Sequence, residues 1–213
     1  PMVLWADMAG RQPFQGGQHA DAGLESSYAR LAGLKVVVPS TPYDAKGLMI
    51  SAIRDVDPVV YCQYPMPATG PEVPDEPYTV PIGEPAVRTE GTDLTIVGYA
   101  PITPRIARAV EELRKEGIRA EFIDPRTLAP LEGVMPAILA SVKKTGRLLT
   151  ADEGSYSFCN GAEIVARVAE ALPGVRVKRL AFPDAPAPGA PEMLNAMRVD
   201  TPHIVEAARN LLK

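Results

Sequence analysis

Apolar and polar positions fall into two periods along this chain. "MVLWA" near the start, "LKVVV" (Leu34–Val38) and "PVVYC" (Pro58–Cys62) are short apolar runs. The unbroken β-branched run Leu34–Val38 is the pattern of a strand covered on both faces of a parallel sheet. Between these runs the apolar positions recur at helical spacing. Leu24 to Ala32 reads as a helix stopped by Gly33. "STPYDAKGLMISAIRD" is a second helix, with Thr41 at the N-cap, Pro42 at its first position and Asp44 in the first turn. Its stripe is Ala45, Leu48, Met49, Ala52 and Ile53. Strand, helix, strand in this order implies parallel neighbours and a right-handed crossover.

The second half alternates more regularly. Strands are expected at Asp93–Ala100, Arg119–Asp124, Arg147–Glu153 and Val175–Phe182. Helices are expected at Pro104–Glu116, from about Val134 to Lys144, around Ile164 to Leu172, and after the Thr201-Pro202 start signal. Asn160 and Gly161 read as helix-start residues with Glu163 in the first turn, and His203 reads as a first-turn residue. This is an α/β fold with a mainly parallel sheet. Between the halves, "YPMPATGPEVPDEPYTVPIGEP" is rich in proline and reads as a linker ordered against the surface. The domains are therefore 1–64, a linker 65–85, and 86–213. The first domain is thin, with about three strands and two helices. It needs a partner surface, or a front portion not in this chain. A start at Pro1, inside what reads as a strand, suggests a fragment or processed chain.

Charge and cysteine content narrow the class. A net charge of -4 argues against nucleic acid or an anionic membrane as partner. No apolar run approaches the length of a membrane span, and no signal peptide is evident. Cys62 and Cys159 have neither metal-ligand nor redox spacing and read as buried thiols in a reducing compartment. The candidate chemistry lies in "QGGQHADAG", residues 15–23, where His19 stands in a glycine-rich loop before a helix. A histidine there can shuttle protons near neutrality, and the helix start favours an anionic group. A lone loop histidine is more often structural or solvated.

"GLKVVVPSTPYDAKGLMISAIRDVDPVV", "GTDLTIVGYA", "IDPRTLAPL" and "DEGSYSFCNGAEI" occur in this order. Together they closely resemble the beta subunit of the thiamine-diphosphate-dependent 2-oxo acid dehydrogenase component, the family of pyruvate, branched-chain and acetoin dehydrogenases. The resemblance covers nearly the whole chain and is weakest after Leu180. It implies the back part of a transketolase-like pyrimidine-binding domain, followed by a transketolase C-terminal domain. It implies thiamine diphosphate as cofactor, shared with an alpha-type subunit that holds the diphosphate and magnesium. A second beta subunit and a lipoyl acyltransferase core are the other implied partners, in the cytoplasm or a mitochondrial matrix. The family's pyrimidine-contacting glutamate lies in the front of the first domain, and no residue here is assigned that role.

The resemblance assigns the catalytic histidine to His19, with one departure. The family has four residues from histidine to the leucine that opens the next helix, and Leu24 is five after His19. Either a residue such as Gly23 is inserted, or Ala20 takes the family position. It also implies a structural potassium held by the carbonyls of Met2, Ala52 and Ile53 with Asp55 and Asp57; the plainer alternative is that both aspartates end a helix before Pro58. Two further readings stand beside this one: a transketolase or deoxyxylulose-phosphate synthase-like enzyme part, and a non-catalytic assembly module.

Overall fold

The computed structural model describes residues 1–11, 23–67 and 70–213. Sixteen elements follow in chain order: β1 (Met2–Asp7), α1 (Leu24–Ala29), β2 (Lys35–Val37), α2 (Pro42–Arg54), β3 (Pro58–Gln63), β4 (Ala86–Thr89), β5 (Leu94–Val97), α3 (Thr103–Lys115), β6 (Ala120–Asp124), β7 (Thr127–Ala129), α4 (Met135–Thr145), β8 (Arg147–Ser155), α5 (Asn160–Ala171), β9 (Arg176–Phe182), α6 (Pro191–Met197) and α7 (Thr201–Leu212).

They build two sheets. The first has the order β1-β3-β2-β7 and the second β4-β6-β5-β8-β9. β1, β3 and β2 are parallel, as are β6, β5, β8 and β9, while β7 and β4 pair antiparallel at the edges. β7 lies in the second half of the sequence but closes the first sheet against β2, with Val36 opposite Ala129 and Val37 opposite Thr127. The expectation of about three strands in the first unit missed this one. Its three residues carry no periodicity of their own, and only the pairing reveals them as a strand.

The central strands of each sheet are covered on both faces, whereas the edge strands β1 and β9 leave several side chains exposed. In the first, Val37, Val59 and Tyr61 pack against Leu48 and Ala52 of α2. Val36, Val38, Val60 and Cys62 face the other way, toward Tyr28 and Ala29 of α1 and toward Tyr99, Ala100 and Leu128 of the second unit. In the second sheet, Leu94, Ile96 and Phe122 meet α3 and α7. Val97, Ile123 and Leu148 meet α4 and α5. Successive strand residues thus serve opposite faces, and this two-sided burial is why the strands read as continuous apolar runs.

α2 starts as its sequence dictates. Asp44 N–H donates to Thr41 Oγ1 at 3.1 Å, and Pro42 occupies the first turn. Its stripe differs at one end: Leu48 and Ala52 are buried, whereas Ile53 is 63% exposed. α1 stops at Ala29, short of the expected Ala32, and a turn leads to Gly33. The proline-rich segment packs on α2 from Pro74 onward. Lys46 Nζ donates to the Pro74 and Asp75 carbonyls, Tyr78 stacks on Tyr43 at 4.5 Å, and Val80 is buried beside Gly47. β4 and α6 fall where no element was expected, the first in an edge pairing and the second in a proline-rich loop. Cys62 and Cys159 are both buried free thiols.

Candidate functional site at the junction of the two units

The base of the glycine-rich loop lies where the two sheets meet. His19 and Ala20 lie outside the described residues, so the choice between them is not made by the described geometry. Gly23 ends the loop at φ 95°, in the left-handed region, and serves as N-cap of α1. Its backbone crosses that of Gly154 at the end of β8 so closely that a Cβ on Gly23 would stand 2.7 Å from Gly154 Cα. Two residues after Gly23, Glu25 is 1% exposed.

Glu25 sits in a buried polar network that spans the junction. Tyr64, just after β3, donates its hydroxyl to Glu25 Oε2 at 2.7 Å, and the Tyr64 oxygen lies 3.5 Å from the Gly23 amide. Tyr99, just after β5, places its hydroxyl 3.1 Å from Glu25 Oε1 and 2.8 Å from Asp152 Oδ2. Asn160 Nδ2 donates to the Tyr99 oxygen at 3.1 Å and to Ser26 Oγ at 2.8 Å. Asp152, on β8, also accepts from the Gly154 amide at 2.7 Å and the Gly161 amide at 3.4 Å. Burial, reinforced by the Asp152 charge, holds the Glu25 carboxyl up at about 7. Burial likewise raises Asp152, against the pull of its hydrogen bonds. Glu25 was not singled out in the sequence; acidic residues in first helical turns are common, and nothing local marks this one as buried.

Beside the network, a cleft of about 1060 Å³ opens between α1, the turn after β7 and the start of α5. Leu24 and Ser26 line one wall, and Phe158, Asn160 and Arg167 the other. Phe158 is 92% exposed with φ 63°, an uncommon conformation for a bulky side chain.

A second junction holds the units together on the α2 side. Asp44 is fully buried and pairs with Arg88 of β4 and with Arg126 Nη1 at 3.1 Å. Arg88 also donates to Asp124 Oδ2 at 2.8 Å. Burial opposes ionisation of Asp44, but the Arg88 charge with the Thr41 and Arg126 hydrogen bonds outweighs it and keeps the carboxyl below its usual range. Arg126 takes φ 54° to reach Asp44 and the Glu84 carbonyl at once.

The residues read as cation ligands take these places. Asp55 is the C-cap of α2 and its amide donates to the Ala52 carbonyl at 3.4 Å. Met2 is in register with Pro58 on the neighbouring strand. Lys35 Nζ lies 2.7 and 2.8 Å from the two Asp55 oxygens and 3.0 Å from Asp57 Oδ2. Ile53 is exposed beside them. Among the described residues, no group of three or more His, Cys, Asp and Glu side chains is arranged to hold a metal ion. Asn160, Gly161 and Glu163 open α5 as their sequence suggested, and His203 Nδ1 accepts from the Asp200 amide at 3.1 Å in the cap of α7. No helix among the described residues is long and apolar enough to cross a membrane.

Two mainly parallel α/β units, joined through buried polar contacts, define a two-unit α/β class of protein. The comparisons with known proteins name it. Residues 2–63 match the transketolase pyrimidine-binding domain and residues 83–204 the transketolase C-terminal domain. The chain belongs to this transketolase family. It is 46% identical over 165 residues to the pyruvate dehydrogenase E1 component subunit beta of Bacillus subtilis (strain 168), a match covering 74% of this chain and 50% of that protein. It is 38% identical over 217 residues to the acetoin:2,6-dichlorophenolindophenol oxidoreductase subunit beta of Cupriavidus necator, across 100% of this chain and 63% of that one. The chain therefore spans between half and two thirds of the length of these relatives. A solved structure described as a split gene transketolase, inactive beta4 tetramer, superposes with a TM-score of 0.81 over 99% of this chain and 66% of its own, at 24% identity. That likeness shows the fold.

Proposed function

We propose that this chain is the beta-type part of a thiamine-diphosphate-dependent 2-oxo acid dehydrogenase, acting only in a complex with an alpha-type subunit. Similarity to the pyruvate dehydrogenase E1 component subunit beta over 74% of the chain, and to an acetoin oxidoreductase subunit beta over its whole length, carries this reading. It also favours the dehydrogenase over a transketolase-like sugar enzyme, for which the 24% identical neighbour supports the fold alone. On this reading residues 1–64 contribute to the pyrimidine-binding unit, 65–85 are the linker, and 86–213 form the C-terminal unit. Magnesium and the diphosphate belong to the alpha-type chain, a second beta chain completes the assembly, and a lipoyl acyltransferase core accepts the acyl group. The protein works in the cytoplasm, or in the matrix if it is mitochondrial.

When bound, the cofactor supplies the carbanion and the electron sink that decarboxylation of a 2-oxo acid requires. This chain supplies proton transfer and charge at the substrate. His19 is the candidate, because an imidazole near neutrality can both give and take a proton. In the complex with its alpha-type chain, His19→Ala is expected to lower turnover at least about 100-fold while native mass spectrometry shows unchanged assembly. Turnover within a few-fold of wild type would remove His19 from the reaction.

The potassium reading places a cation on the Met2, Ala52 and Ile53 carbonyls with Asp55 and Asp57. The outward carbonyls at the end of α2 and two carboxylates within one turn favour it. Lys35 competes, since its ammonium already pairs with both aspartates. Replacing tetramethylammonium by potassium at constant ionic strength is expected to raise the thermal midpoint. Identical midpoints would leave Lys35 as the resident cation.

A further inference from the structure

The hydrogen bonds around Tyr99 do not close if every carboxyl is ionised. The Tyr99 hydroxyl has one proton and two carboxylate oxygens within reach, Glu25 Oε1 at 3.1 Å and Asp152 Oδ2 at 2.8 Å. Its own oxygen already accepts from Asn160. Asp152 has two backbone amides besides, on Gly154 and Gly161, so it is the better solvated carboxylate. Glu25 has the Tyr64 hydroxyl on Oε2 and only Tyr99 on Oε1. If the Tyr99 proton goes to Asp152, two bare oxygens face each other across 3.1 Å in a site from which water is shut out: Glu25, Tyr64, Tyr99 and Asp152 are each no more than 3% exposed. One added proton resolves it. Glu25 Oε1 then donates to the Tyr99 oxygen, Tyr99 donates to Asp152, and each of the oxygens in this relay from Glu25 to Asp152 has a partner.

We propose that Glu25 and Asp152 share a single proton through Tyr99, and that this shared proton seats α1, with the base of the glycine-rich loop, against the C-terminal unit. The members come from both units: Glu25, Ser26 and Tyr64 from the first, Tyr99, Asp152 and Asn160 from the second. Among the described residues, the other titratable or charged groups facing the pair are Cys62 of β3, whose thiol the Glu25 charge disfavours ionising, Glu153 of β8 and Cys159 before α5, both held up by burial and by the Asp152 charge, and Arg11, whose charge favours Asp152 as the ionised partner. Arg11 Nε donates to the Glu153 carbonyl at 2.9 Å, which fixes it beside β8. Glu25 is thus a positioning residue: it acts on the loop through Gly23 and Tyr64.

The sign of the pH effect follows from which state holds the proton. Glu25 folds protonated at pH values where the unfolded chain has lost that proton, so stability falls as pH rises from about 4.5 to about 7 and levels above. Glu25→Gln offers the same acceptor to Tyr64 and an N–H donor to Tyr99 at every pH. The folding equilibrium constant of wild type relative to Glu25→Gln is expected to drop by about two orders of magnitude across that window. The protection factors of the α1 amides, with the intrinsic base-catalysed rise in exchange divided out, are expected to fall above pH 7 in wild type alone. An infrared carbonyl stretch of a protonated carboxylic acid is expected at pH 6 in the native wild-type chain, lost on titration through neutrality and absent from Glu25→Gln. Should Glu25→Gln fail to fold, Tyr99→Phe, which removes the bridging hydroxyl, is expected to shift or abolish the band; a band left unchanged by Tyr99→Phe belongs to another buried carboxyl, such as Asp124 or Glu153, and overturns the proposal. A missing protonated-acid band at pH 6, or a wild-type to Glu25→Gln stability difference that does not change with pH, overturns the proposal.

Discussion

Asp44→Ala is expected to lower the unfolding free energy by about 3–5 kcal/mol, measured as the loss in urea-unfolding free energy at pH 7. Asp44 is fully buried and is shared by Arg88 and Arg126, while Arg88 also holds Asp124. Two aspartates and two arginines make a neutral set. Removing one carboxylate leaves a net positive charge with little access to water, and this uncompensated charge, rather than the lost attraction, dominates the cost. The same truncation removes the oxygen that accepts from Thr41 Oγ1 at the start of α2. Because α2 belongs to the first unit and Arg88 and Arg126 to the second, the expected denaturation curve also loses cooperativity. Asp44→Asn keeps the shape and one acceptor, so its loss should be smaller but in the same direction. A loss under about 1 kcal/mol for Asp44→Ala would mean that the arginines find other partners, such as Asp124 and the Glu84 carbonyl they already touch.

What the sequence discloses here is set by the range of the interaction. α2 was legible to the residue because Thr41, Pro42 and Asp44 are local signals that act within one turn. The strands Lys35–Val37 and Pro58–Gln63 were legible because burial on both faces writes an unbroken apolar run. β7 was not, since three residues acquire strand character only by pairing with β2, about ninety positions earlier in the chain. The junction network was hidden for the same reason. Tyr64 and Tyr99 follow strands and Asp152 lies toward the C-terminal end of β8, and parallel strands bring those ends together on one side of the sheets, where ligands of open α/β folds gather. No spacing rule links Glu25 to a residue 127 positions away. Ile53 errs the other way: it fits the helical stripe of α2 by period, but the last turn runs past the edge of the sheet and leaves it in solvent.

Gly23→Ala should be the most damaging single-methyl change near the loop, with a stability loss of about 2–5 kcal/mol. Two costs combine. At φ 95° an alanine is strained by roughly 1–2 kcal/mol. The new methyl would also sit 2.7 Å from Gly154 Cα, and forcing backbone apart in a packed junction adds about 1–3 kcal/mol. Gly33→Ala separates them. Gly33 has φ 88° but nothing within 4 Å of its would-be Cβ, so its substitution carries the conformational cost alone. The excess of Gly23→Ala over Gly33→Ala, read from thermal or urea unfolding of the two variants side by side, therefore measures the Gly23–Gly154 crossing. Moving Gly154 also moves its amide off Asp152 Oδ1, the contact that keeps Asp152 the ionised member of the pair. The infrared band of the protonated acid is then expected to shift in Gly23→Ala and to stay in place in Gly33→Ala. Equal losses for the two variants would mean the crossing yields without strain, and the loop base would be held by Tyr64 and Glu25 alone.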